Sequence, residues 1–183
     1  MNRVVPNYTW AFVLFLATWI LTHPLHPAYA DTQDWEAAVK SMQQGAVRMI
    51  EGHKMLREKK NDSAEQAIKT GHRMMMEAER TLARVQAQMM KQGAKLMKEG
   101  LEVFKTNKDV AGAEKLMTQG LDMIQEAERM MNDSRPAKMM QGSRQMMRGL
   151  RMRQERDLNA SDKLMTEGRQ LMREAGQQGP EKK

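Results

Sequence analysis

The 183-residue chain contains no cysteine. That excludes disulfides, thiolate nucleophiles and thiolate metal sites. Histidine and aromatic residues are scarce, and beyond residue 30 only His53, His72, Trp35 and Phe104 remain. There is no paired-histidine metalloprotease pattern and no glycine-rich loop between a strand and a helix. The carboxylates, such as Glu77, Glu79, Glu126 and Glu128, occupy polar helix positions where pairing with Lys or Arg is the default. The chain is therefore not expected to be an enzyme.

Long apolar runs are also missing. The longest, Trp10–Leu21, has 12 residues, too few to span a bilayer and suited to a signal peptide. Arg3 precedes it, and Ala28–Tyr29–Ala30 is an A-x-A cleavage signal, so residues 1–30 read as a cleaved signal peptide. An uncleaved anchor is the alternative. The sequence thus predicts secretion across the inner membrane to the periplasm, with membrane contact only through the leader. Without Arg3, 29 basic residues face 23 acidic ones, a net charge of about +6. Their signs alternate along the chain, which suits a solvated helix face rather than a nucleic-acid surface.

Methionine is in excess. Twenty of the 21 methionines lie beyond residue 30, against ten leucines there. They fall in a pattern that recurs every 48 to 49 residues. "MQQGAVRMIEG" from Met42, "MKQGAKLMKEG" from Met90 and "MMQGSRQMMRG" from Met139 match one another. So do "IKTGHRMMMEAER" from Ile68, "MTQGLDMIQEAER" from Met117 and "MTEGRQLMREAG" from Met165. Residues such as Met42, Gly45, Met49, Gly52 and Leu56 recur at helical spacing. Residues 31–183 therefore read as one all-α domain of three repeated antiparallel hairpins, at about 34–82, 83–131 and 134–176, with a disordered tail at 177–183. About five helices are expected, in a bundle or a short array. The second, long and shared between the first two repeats, is expected over about 63–105. Ser63 with Gln66 marks one helix start, and Ser134 with Pro136 another.

Folding each repeat on its turn pairs Gly52 with Gly71, Met49 with Met74 and Gly45 with Ala78. The same rule pairs Gly100 with Gly120, Met97 with Met123, Gly93 with Ala127, Gly149 with Gly168, Met146 with Leu171 and Gly142 with Ala175. An interior glycine costs a helix about 1 kcal/mol relative to alanine, so close backbone approach is the natural reason for keeping it. Methionine then fills the irregular gaps, and Met42, Met49, Met97, Met117, Met146 and Met165 are expected in the core.

Core filling does not explain the runs Met74–Met76, Met89–Met90, Met130–Met131, Met139–Met140 and Met146–Met147. Adjacent methionines cover more than one helix face. Neutral, polarizable thioethers select Cu(I), and by the same softness Ag(I). With Gly52 opposite Gly71, His53 and His72 share one side of the first hairpin. Met49, His53, Met55, His72, Met74, Met75 and Met76 then form a candidate ligand set for one such ion. The expected function is binding or buffering of soft metal ions. In composition the chain is similar in style to bacterial periplasmic copper and silver binders, without a shared motif. The alternative is an interaction or chaperone-like protein whose methionines contact an envelope protein, an unfolded client or a second copy of the chain. Oxidant scavenging through methionine sulfoxide is a third reading.

Overall fold

The computed structural model describes residues 27–107 and 109–177, and every element among them is an α-helix. Helix α1 spans Pro27–Arg57, α2 Asn61–Asn107, α3 Val110–Met131, α4 Ser134–Gln154 and α5 Leu158–Gln177. The expected leader up to residue 26, and the expected tail beyond residue 177, lie outside the described residues. Among the described residues no helix is long and apolar enough to cross a membrane.

Helix α2 has 47 residues and stands where one long helix is expected. α1 packs back along its first half and α3 along its second, while α5 packs back along α4. The turns that reverse the chain are short. Lys59 adopts a left-handed backbone with φ 62°, and Arg156 does the same with φ 66°. Around Lys59, the Lys60 amide donates to the Met55 carbonyl (3.0 Å) and the Lys59 amide to the Leu56 carbonyl (3.1 Å). Around Arg156, the Asp157 amide donates to Met152 (2.9 Å) and the Arg156 amide to Arg153 (3.1 Å). Both are Schellman endings, formed here without the usual glycine. The next residue starts the following helix at once. The Lys60 carbonyl accepts from the Ala64 amide, that of Asp109 from Ala113 and that of Asp157 from Ser161, at 3.0–3.1 Å.

Two expected caps are corrected by this geometry. α2 begins at Asn61, so Ser63 lies inside its first turn. α4 is capped by Asp133, not Ser134, and its carboxylate accepts from the Arg135 amide at 2.9 Å. The Arg135 guanidinium closes on the same carboxylate at 2.6 Å, so one residue satisfies the cap twice.

The early turns also move the helix register by seven residues. A Cβ built on Gly45 would stand 2.7 Å from the Gly71 carbonyl oxygen, so Gly45, not Gly52, faces Gly71. Gly52 faces Ala64 and Ile68 instead. Likewise Gly93 faces Gly120 while Gly100 faces Ala113 and Met117; Gly142 faces Gly168 while Gly149 faces Ser161 and Met165. The paired positions Gly52–Gly71, Gly100–Gly120 and Gly149–Gly168 are therefore each one heptad out. The cause is local: a turn centred on "KKNDSAEQ" or "DLNASD" is placed too late when the chain already reverses at Lys59 and Arg156.

α4 packs on α1 and α2, and α5 packs on α1. One continuous core results, running from Trp35 through Met49, Met75, Met89, Met139 and Met146 to Ala175. Among the described residues, eleven of the 20 methionines are buried. Each fully buried one contributes roughly 1.5–3 kcal/mol of apolar transfer free energy. α3 joins that core only near its end, through Ala127 and Met130. Met117, expected in the core, is 39% exposed, because among the described residues no other helix packs on that face of the α2–α3 pair. Met97 is half-buried for the same reason.

Candidate soft-metal site

The contact between Gly45 and Gly71 gathers most of the expected ligand residues. A Cβ on Gly71 would meet the Met49 Cγ at 2.6 Å, and one on Gly45 would meet the Met75 Cγ at 2.7 Å and the Met74 Cβ at 3.3 Å. Met49, Met74 and Met75 therefore surround this crossing, and His72 directly follows Gly71. Met76 lies four residues after His72, one helical turn along the same face. Met49 and Met75 are fully buried, while His72, Met74 and Met76 are half-buried.

Ser143, on α4, completes the group. Its hydroxyl stands 3.2 Å from the Met49 Sδ and 2.7 Å from the His72 Nδ1. The hydroxyl has a single proton, which it donates to sulfur, an acceptor with no proton of its own. It then accepts from the Nδ1–H of His72. In the tautomer that satisfies both contacts, Nδ1 carries the proton and the lone pair of Nε2 is left as the ligating position. Burial, then the Arg144 guanidinium, holds the imidazole below its ordinary value, with Glu79 opposing. His72 is thus a neutral imidazole at neutral pH.

His53 and Met55 are not at this place. With Gly45 against Gly71 and Gly52 against Ala64 and Ile68, His53 lies level with Ser63, two and a half helical turns or roughly 13 Å along the axis from His72. His53 is buried, and its Nδ1 has no hydrogen-bond partner. Burial lowers its pKa first; Arg169 lowers it further, Asp162 opposes, and Arg57 and Arg153 add to the lowering. Met55 is half-buried against the core. The expectation that His53 and His72 converge rests on the Gly52–Gly71 register and falls with it.

Ser143 is the residue that the sequence pattern passes over. In the repeating pattern it stands where Ala46 and Ala94 stand, so its hydroxyl is a polar departure among small residues, as that of Ser161 is opposite Gly149. Among the described residues no three His, Asp or Glu side chains gather where they would hold a metal ion. The donor set here is thioether and imidazole, which is soft-metal chemistry. In comparisons with known proteins, no family model, no curated protein and no solved structure matches the chain.

Proposed function

We propose that the protein binds or buffers soft metal ions of the Cu(I) or Ag(I) type. His72 Nε2 and thioethers drawn from Met49, Met74, Met75 and Met76 are the ligands. The observation that carries this is the Ser143 hydroxyl, which ties a buried methionine sulfur to a neutral, oriented imidazole. Thioethers need no deprotonation and do not oxidise to disulfides, which fits a cysteine-free protein exported to the periplasm. The reading is non-enzymatic. It includes an architecture of three copies of one helical hairpin, because each glycine contact recurs at a spacing of 48 or 49 residues.

The test is a Cu(I) titration of the purified protein under reducing conditions against a chromogenic Cu(I) chelator. His72→Leu, His53→Leu and Ser143→Ala variants run alongside; each places the residue that another hairpin carries there. The expected result is competition by the wild type, weakened at least tenfold by His72→Leu and less by Ser143→Ala. His53→Leu leaves affinity unchanged. Failure of the wild type to compete, or an equal loss in both histidine variants, refutes the assignment.

A further inference from the structure

The three hairpins bury corresponding faces unequally. On the first, His53 and Leu56 are 4% exposed and Ile68 is fully buried. On the third, Leu150 is 4% and Met165 1% exposed. These two faces pack on each other: His72 meets Ser143, Glu79 meets Arg144, Asn61 meets Arg153 and Glu65 meets Gln154. The corresponding face of the middle hairpin carries Leu101, Phe104, Met117 and Leu121, and these are 43%, 51%, 39% and 45% exposed. It is more apolar than the faces its neighbours bury, and among the described residues no other helix packs on it.

The position-by-position correspondence says what fits there. Shifting the first-to-third hairpin contacts onto two middle hairpins turns His72–Ser143 into Leu121–Ala94. Glu79–Arg144 becomes Glu128–Lys95, Glu65–Gln154 becomes Glu114–Lys105, and Asn61–Arg153 becomes Val110–Phe104. Every translated pair is complementary, either apolar with apolar or acid with base. We propose that the exposed α2–α3 face is the dimer interface of this chain, covered by the same face of a second copy. The twofold arrangement repeats, between chains, the packing of the first and third hairpins within one. A C2 contact is self-complementary, so each translated pair forms twice. The inference rests on the hairpin correspondence and is independent of metal binding.

Sedimentation equilibrium of the purified protein across the micromolar range tests it. The expected result is a dimer. Leu121→Glu, at an exposed position, yields a monomer with unchanged helicity, melting lower only by the stabilisation the dimer supplies. Lys95→Glu weakens the dimer at least tenfold, and Lys95→Glu with Glu128→Lys restores it. A wild type that stays monomeric throughout overturns the proposal and leaves the face to a different protein. A dimer indifferent to Leu121→Glu and to the charge swap overturns it as well, because the chains then meet elsewhere.

Discussion

Replacing Gly168 by alanine tests whether the glycines mark backbone contact or merely tolerated gaps. The added Cβ would lie 2.5 Å from the Gly142 carbonyl oxygen, 2.7 Å from the Met146 Cγ and 3.1 Å from the Met146 amide nitrogen. Two of these three atoms are backbone, so a side-chain rotation cannot relieve the crowding and α4 and α5 must separate. Overpacking of this kind costs about 1–3 kcal/mol, and the forced backbone shift argues for the upper end. The helix propensity of alanine returns about 1 kcal/mol. The net expectation is a loss of about 2 kcal/mol, a fall of about 4–8 °C in melting temperature for a chain of this size. Gly176, in the same helix, has nothing within 4 Å of its would-be Cβ. Gly176→Ala therefore gains about 0.4–1 kcal/mol by restricting the unfolded chain. Circular-dichroism melts of the two variants and the wild type decide the matter. If Gly168→Ala melts as high as Gly176→Ala, α4 and α5 do not touch through their backbones there.

Two further substitutions follow from strain and desolvation. Arg156→Gly relieves a non-glycine residue from the left-handed region, which costs about 1–2 kcal/mol; after glycine's own entropy cost of about 0.5–1 kcal/mol, a small rise in melting temperature is expected. A fall would show that the turn is not left-handed at Arg156. His53→Leu removes a buried nitrogen without a partner and installs the residue found at Leu101 and Leu150, so a gain of about 1–2 kcal/mol at pH 7 is expected. The same variant changes the pH dependence. Both histidines titrate lower in the folded chain than their ordinary value of about 6.5. On acidification the unfolded chain takes up these protons first. Stability is therefore full above about pH 6.5 and declines below it. Urea melts between pH 7.5 and 5.5 should show a shallower decline for His53→Leu, and an unchanged slope would refute the account of His53.

Helix positions were legible because they depend on periodicity and on residue types the chain uses consistently. The stripe Met42, Gly45, Met49, Gly52, Leu56 specifies a buried face whatever lies opposite, and α2 runs unbroken where no turn residue interrupts it. Register was less legible, because it depends on where the chain reverses. Lys59 and Arg156 carry no signal for a left-handed ending, which glycine or asparagine would advertise. A hairpin slipped by a heptad keeps glycine opposite small residues and methionine opposite apolar ones, so the pattern alone does not expose the error. The candidate site inherits this. Met49, His72, Met74 and Met75 sit together because they flank Gly71 and Gly45, whereas His53 joined them only in the slipped register. Ser143 was out of reach for another reason: it arrives from α4, and hairpin periodicity says nothing about how hairpins stack.

The same contacts explain why the core is methionine rather than leucine. At nine helix-interior glycines, the nearest side-chain atom pressing on the glycine is a γ-carbon. It comes from methionine at seven of them and from isoleucine, at Ile68 and Ile124, at the other two. In methionine that γ-carbon is an unbranched methylene, which lies flat against a facing backbone. Leucine would put a branched carbon and two methyl groups in the same space, and the helices would have to part. Met49, Met97, Met117, Met146, Met165, Met172 and Met75 are accounted for by this packing alone. Met74 and Met76 are not, for neither has its γ-carbon on a glycine. Met49 shows that both demands can fall on one side chain. Its Cγ covers Gly71, while its Sδ, one bond further out, accepts the Ser143 proton beside His72. A metal ion that recruits this sulfur must displace a hydrogen bond but need not uncover the glycine, so the helix contact can persist while the sulfur changes its bond.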